Sequence, residues 1–272
     1  MAVPNIATNA HWHRAIAPTL KLLRSRREEV EELLRSGEKD ELLKRIRLLR
    51  QHFATAVGLD FPRSPLKLRA GETIHLDDYV IERVAIEALA GYWIPVNVYK
   101  PARASRERLS TILVAVGHYW EGKAHRDNQA LCATLARNGF LAATYDPMCQ
   151  GERDEFPPEQ FPQYASEREK EDMWVVAQHM LVGDLSYLLG ESSAKYYIWD
   201  AIRVLDYLFE RSDVRTDTVG CVGQSGGGTL TYYLAALDSR IHAYMPIQCL
   251  SPYEISIKNG IADPEQSVLG LW

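Results

Sequence analysis

Apolar positions return every three or four residues at the start of the chain and later give way to short alternating or continuous runs. The first pattern predicts an amphipathic helix over Pro18 to Leu34, carrying Leu20, Leu23, Val30 and Leu34 and stopping at Gly37. A second helix follows from about Lys39 to Ala56, with Leu42, Ile46, Leu49 and Phe53 on one face and Gly58 behind it. The charge run Arg24 to Glu32 reads as a solvated helix face. Tyr79 to Leu89 and the alternating Ile94, Val96 and Val98 before Pro101 predict an antiparallel hairpin. Beyond it, Thr111 to Val116, a helix over Asn128 to Asn138 closed by Gly139, and Phe140 to Tyr145 form a βαβ unit. Residues 152–190 are too long for an ordinary connection and read as an inserted lid. A helix capped by Ser192 or Ser193 then carries Ile198, Ile202, Leu205 and Leu208, and Thr218 to Val222 returns as a buried strand. A glycine-rich turn, a helix over Thr229 to Leu237 and a strand over His242 to Ile247 complete the reading. The class is α/β: residues 1–62 are an N-terminal helical extension, and 63–272 a core with a mostly parallel sheet and helices on both faces. No internal repeat or low-complexity tract appears.

The chain has 272 residues, 46% of them hydrophobic, enough for one substantial core. Its net charge of -5, with bases interleaved among acids, excludes a phosphate-binding surface and hence a nucleic-acid partner. The cysteines, Cys132, Cys149, Cys221 and Cys249, are widely spaced and read as packed thiols. No run approaches the roughly 18 apolar residues of a membrane span, and Met1 to Ala10 lacks the pattern of a signal peptide. A soluble, cytoplasmic protein with no membrane partner is expected, a processed secreted one being the alternative.

The chemistry concentrates at Gly223-Gln224-Ser225-Gly226-Gly227. A serine hydroxyl is a weak nucleophile unless a strained strand-to-helix turn exposes it beside a base, and crowding at such a turn requires flanking glycines. The preceding strand and following helix give the motif its context, so Ser225 is the expected nucleophile. The Gly226 amide, at a helix N-terminus, is the first expected oxyanion donor. The second belongs to the loop Gly117-His118-Tyr119-Trp120-Glu121-Gly122, at the backbone of His118 or alternatively Tyr119. The His118 imidazole has two equal readings, substrate contact or a local bond. Tyr119, Trp120 and Gln224 are the candidate substrate-binding side chains. Phe156, Phe161, Tyr164 and Trp174 are expected to pack the lid onto the body, with a pocket lining as the alternative. His11 and His13 lack a nearby third ligand, so no metal is expected, and no cofactor.

With those residues placed, the chain resembles α/β-hydrolases of the acetyl-xylan-esterase-like and dienelactone-hydrolase-like branch. The resemblance runs from about Tyr79 to Trp272. It lies in Gly117-His118 with Glu121-Gly122-Lys123, Tyr145-Asp146-Pro147 with Gln150-Gly151-Glu152-Arg153, and Trp199-Asp200 with Asp206-Tyr207-Leu208. Gly223 to Gly228 and Asp263-Pro264-Glu265-Gln266 continue it. It implies the α/β-hydrolase fold, Ser225 as nucleophile, Gly226 and the His118 region as oxyanion hole, and Asp146 to Arg153 as a structural turn near the site.

In this fold the acid and histidine follow the serine in the chain. Only 47 residues follow Ser225, against roughly 50 to 80 for two more strand-helix units, so the expected sheet lacks its last strands. His242 opens a strand, roughly 15 to 20 Å from the elbow, and is rejected as base. His125 and His179 would require an unusual triad. Asp263 and Glu265 are possible acids, although a capping or loop role is favoured. The expected function is a serine hydrolase cleaving an acetyl or other short acyl ester of a carbohydrate or small molecule. The alternatives are a peptidase or C-C hydrolase of the same fold, or an incomplete hydrolase needing a second chain. A homo-oligomer or a second chain completing the sheet is the accompanying partner expectation.

Overall fold

The computed structural model describes residues 11–103, 107–156, 172–249, 251–259, 263 and 266–268. The chain divides into two compact units, Met1–Phe53 with Ser251–Ala262 and Gly270–Trp272, and Ala54–Leu250 with Asp263–Leu269.

The first unit is helical. Helix α1 spans His11–Ser36 and α2 spans Lys39–Val57, its last turn passing into the second unit. The α1 helix starts about two turns earlier than the sequence pattern indicates, with Pro18 inside it, where the ring removes one amide donor. Leu20, Leu23, Val30 and Leu33 are the more sheltered side of α1, while Leu34 stays exposed. On α2, Phe53 is buried, whereas Ile46 and Leu49 remain exposed. His11 and His13 fall in the first turn of α1, and their side chains lie outside the description. A short helix near the C-terminus, Tyr253–Asn259, contacts α1 within this unit.

The second unit holds a seven-stranded sheet in the order β1-β2-β3-β5-β4-β6-β7. Its strands are β1 Leu68–His75, β2 Tyr79–Leu89, β3 Tyr92–Pro101, β4 Leu109–Ala115, β5 Leu141–Tyr145, β6 Val214–Gln224 and β7 Ala243–Ile247. Strands β4, β5, β6 and β7 pair in parallel, β1 to β3 pair antiparallel, and β3 joins β5 antiparallel, so five of the seven strands share a direction. The predicted hairpin is β2 and β3, in register from Tyr79 opposite Pro101. Strand β1 had no signal in the sequence because every residue of it is exposed. The uncharged run at β5 is buried at all five positions, Thr144 included, as a central strand requires.

Helix α3, Arg126–Arg137, covers one face, where Cys132 and Ala136 pack with Ile81, Tyr99, Val114 and Ala142. Helices α5, Ala194–Glu210, and α6, Gly226–Leu237, contact each other and cover the opposite face, with Thr231 of α6 within 3.5 Å of the Cys221 sulfur. Ile198, Leu205 and Leu208 of α5 are fully buried. None of the four cysteines forms a disulfide, and Cys132, Cys149 and Cys221 are buried. Within the stretch expected as a lid, α4 spans Asp172–Leu188 and buries Trp174, Val175, Gln178 and His179. Phe161 and Tyr164 lie outside the described residues.

Candidate active site

The sheet brings the carboxyl ends of β4, β6 and β7 together, and the candidate site lies there. Ser225 sits between β6 and α6 with φ 55° and ψ -122°, a backbone conformation that side chains other than glycine rarely adopt. Such strain costs on the order of 1–3 kcal/mol and persists only where surrounding structure enforces it. The enforcement is visible: the Ser225 amide donates to the Ile247 carbonyl at the end of β7, 2.9 Å away, and the Ser225 carbonyl accepts from Thr229 at 3.0 Å. A Cβ at Gly223 would collide with the Gly227 carbonyl, and one at Gly227 would collide with the carbonyls of Ala115 and Val116. Both flanking glycines therefore answer to backbone crowding, and Ser225 stands exposed on the turn.

Facing it is the loop after β4. A Cβ at Gly117 would lie 2.8 Å from the Gln224 carbonyl, so the two turns touch through backbone. The buried Gln150 side chain ties that loop down, its Nε2 donating to the carbonyls of Gly117 at 2.7 Å and Tyr119 at 2.9 Å. The Gly151 amide adds a bond to the Trp120 carbonyl at 3.0 Å. The His118 imidazole lies against Gly226, where a Cβ would be 3.2–3.6 Å from three ring atoms. It also meets the His179 ring of α4 at a centroid distance of 4.8 Å. The Gly226 amide opens α6, where first-turn amides lack an intrahelical acceptor and point at incoming negative charge.

A knot of buried charge lies beneath this loop. The Asp146 carboxylate accepts from the Lys123 amide at 2.7 Å, the Lys123 ammonium at 2.5 Å and the Glu152 amide at 3.0 Å. Gly122 and Gly151 both have positive φ, and a Cβ on either would strike that carboxylate. Arg153 donates to Asp200 at 2.5 Å and to the Asp146 carbonyl at 3.2 Å, and its guanidinium lies 4.4 Å from the Tyr92 ring centre. Burial pushes the Asp146 and Asp200 carboxyls above the usual range, against the pull of Lys123 and Arg153 respectively. The stretches that carry the sequence resemblance thus converge on one scaffold for the Gly117–Trp120 loop.

Beside Gly226 opens a small cleft. Val116, His118, Tyr145, Pro147, Gln150, His179, Ala194, Tyr197, Thr229, Leu230, Tyr233 and Gln266 complete its lining. Tyr145, Gln150, His179 and Gln266 had no assigned part in this cleft from sequence, although all but His179 fall in the stretches that carry the resemblance.

The other expected residues are dispersed. The Tyr119 ring stacks on His125 at 3.7 Å, and the Gln224 amide bonds to Gln248 at 2.5 Å. Trp120 is half-buried. Asp263 accepts from the Gln266 side chain at 2.7 Å, and Gln266 in turn accepts from the Thr229 hydroxyl at 2.5 Å, so Asp263 steadies the cleft wall. Glu265 lies outside the described residues. His242 immediately precedes β7, its amide bonding the Val219 carbonyl midway along β6 at 2.8 Å, and His125 caps α3. His179 Nε2 lies 3.1 Å from the Met148 carbonyl. Trp174 is fully buried within α4, and the Phe156 amide bonds to Gln178 at 3.2 Å. Among the described residues no three His, Cys, Asp or Glu side chains are grouped to hold a metal ion, and no helix is long and apolar enough to cross a membrane.

No protein-family model matches the chain. Over 71 residues it is 35% identical to YtaP of Bacillus subtilis (strain 168), a protein named as a hydrolase; the match spans 26% of this chain and 24% of that one. Among solved structures, the methylesterase BT1017 superposes with a TM-score of 0.58 at 26% identity, covering 83% of this chain and 46% of its own. BF1801 of Bacteroides fragilis NCTC 9343, named as an acetyl xylan esterase, gives a TM-score of 0.62 at 19% identity, over 75% of this chain and 52% of its own. The chain spans about half the length of these solved neighbours. It is built on the α/β-hydrolase fold and resembles the acetyl-xylan-esterase-like proteins that share it.

Proposed function

We propose that this chain carries the nucleophile and oxyanion hole of a carboxylic ester hydrolase. The observation that carries the reading is Ser225 at φ 55°, exposed on a strand-to-helix turn against a loop fastened by Gln150. In the proposed reaction the Ser225 hydroxyl attacks the ester carbonyl carbon, and negative charge develops on the carbonyl oxygen. The amides of Gly226 and His118 hold that charge, preorganised in a site where donors need not reorient. Collapse expels the alcohol and leaves the acyl group on Ser225, from which water releases it. The name of one neighbour, an acetyl xylan esterase, favours an acetyl or other short acyl ester of a carbohydrate or small molecule, and that of the other, a methylesterase, agrees with an ester substrate.

The general base and its acid partner are assigned to none of the described residues. His118 packs on Gly226, His179 lies by the Met148 carbonyl, His125 caps α3 and His242 stands at the amino end of β7, whereas Ser225 lies by its carboxyl end. We place the base in another segment or a second chain that approaches the exposed side of Ser225. A fluorophosphonate probe tests the nucleophile directly: wild-type protein is expected to label at Ser225, and Ser225→Ala to remain unlabelled. A folded chain that leaves Ser225 unmodified, alone and in cell extract, overturns the reading. Acetyl esters turned over in preference to peptides would separate the esterase from a peptidase on the same fold.

A further inference from the structure

The turn that carries Met148 and Gln150 reaches the Gly117–Trp120 loop by two routes. The first is the Gln150 side chain, on the carbonyls of Gly117 and Tyr119. The second starts at the Met148 carbonyl, 3.1 Å from His179 Nε2 on α4. A carbonyl oxygen only accepts, so Nε2 is the donor of that bond. The His179 side chain is buried and meets the Tyr197 ring edge-on at 5.4 Å, while the Tyr197 hydroxyl donates to the same Met148 carbonyl at 3.4 Å. Held in this way, the His179 ring lies 4.8 Å from the His118 ring, centre to centre, at an interplanar angle of 57°. The His118 ring in turn lies against Gly226, where a Cβ would be 3.2–3.6 Å from three of its atoms. Contact therefore runs without a gap from Met148 through His179 and His118 to the first residue of α6.

The peptide joining Gly117 to His118 is planar and trans, so its carbonyl and the His118 amide point in opposite directions. Gln150 holds the carbonyl side of that plane. The remaining motion is a swing of the His118 end, and it would carry the His118 ring with it. Resting on the reading of the His118 amide as an oxyanion donor, we propose that His179 is a positioning residue for that amide. Its imidazole wedges the His118 ring against Gly226, which stops the peptide from turning and keeps the His118 and Gly226 amides at a fixed spacing. Helix α4, from the stretch expected as a lid, thus reaches the chemistry through one side chain.

The test follows fluorophosphonate labelling of the full chain over a range of probe concentrations, which separates the maximal rate from the half-saturating concentration. His179→Ala is expected to lower the maximal rate roughly tenfold and to leave the half-saturating concentration within about twofold, because a turned donor weakens the transition state and not the encounter. His179→Gln, whose amide can donate to Met148 and present a flat face to His118, should recover most of that loss. Val175→Ala, at a fully buried position of the same helix, should lose stability yet keep the wild-type maximal rate within about twofold. An equal fall in Val175→Ala would trace the effect to a loosened helix and overturn the proposal. An unchanged maximal rate in folded His179→Ala also overturns it. A loss beyond roughly a thousandfold that glutamine does not repair would make His179 the general base instead. Should His179→Ala not fold, His179→Leu, which fills the space without a donor or a flat face, takes its place with the same expected loss.

A second readout needs no nucleophile. In protein labelled with 15N-histidine, the order parameter of the His118 amide is expected to fall in His179→Ala from the rigid value of about 0.85 toward about 0.6, and to recover in His179→Gln. An amide equally rigid in both variants overturns the wedge whatever the labelling shows. A His118 amide loosened by His179→Ala in a protein whose Ser225 never labels would retain the wedge and reject the nucleophile.

Discussion

Replacing Gln150 by methionine removes a donor from beneath the oxyanion loop while nearly preserving side-chain length. Gln150 is 2% exposed, and its Nε2 holds the carbonyls of Gly117 and Tyr119 at 2.7 and 2.9 Å. Each net hydrogen bond is worth about 1 kcal/mol, and both carbonyls keep a backbone donor, the Tyr119 amide on Gly117 at 2.9 Å and the Gly122 amide on Tyr119 at 3.0 Å, so the variant should lose about 1–3 kcal/mol. Against a typical total of about 5–15 kcal/mol the protein stays folded, and any loss of reactivity then reports the loop itself. A displaced oxyanion donor should slow fluorophosphonate labelling of Ser225 by roughly 10- to 100-fold. Urea unfolding measures the first effect and the labelling rate of folded protein the second. Stability within about 0.5 kcal/mol of wild type would mean that these bonds do not hold the loop. Reduced stability with undiminished labelling would mean that the loop does not position the donor. Gln150→Glu sharpens the comparison, because a carboxylate would face two carbonyls and should recover part of its stability when acid protonates it.

Gly227→Ala should prevent folding or cost more than about 3 kcal/mol, because its Cβ has only the Ala115 and Val116 carbonyls to meet; Gly139→Ala, at φ +85° with open space around it, should cost only about 1 kcal/mol in thermal unfolding. Lys123→Met strands the fully buried Asp146 carboxylate and should cost about 3–5 kcal/mol, of which Asp146→Asn in the same chain restores a part; additive losses in urea would contradict a shared network. Burial pushes the Glu82 and Asp213 carboxyls up, but Lys100 and Arg211 outweigh it and hold both below the usual range. Their contribution is therefore complete above the ordinary carboxylate range near pH 4 and is lost as pH falls below it, so Lys100→Met should flatten the acid limb of a stability profile.

The strained turn at Ser225 was legible in the sequence because crowding there restricts the residue types. At Gly223 and Gly227 the backbone approaches so closely that only glycine fits, and that demand appears in the chain as a motif. The central strands were equally readable, since β5 is buried at all five positions and carries no charged residue. Strand β1 left no trace because it contributes backbone pairing to β2 and buries no side chain, and pairing alone imposes no alternation. The start of α1 was misplaced for a related reason: Pro18 imitates a helix opening, yet it stands about two turns inside.

Gln150 and His179 show why the rest of the site needed coordinates. Gln150 acts on backbone carbonyls, and every residue has one, so no partner residue type exists to look for. His179 meets His118 only because α4 lays that one face on the body, and the two lie 61 positions apart with no shared periodicity. The same argument bears on the unassigned base. A general base acts across space on the Ser225 proton and needs no local backbone strain, so the elbow motif places no constraint on where in sequence, or in which chain, that base lies. Ser225 is exposed and its turn is anchored from beneath through Ile247, which leaves the solvent side as the approach for an imidazole. Identifying the base therefore means finding the histidine that shields Ser225 from solvent when the active assembly forms, and hydrogen exchange or probe protection at that face will report it.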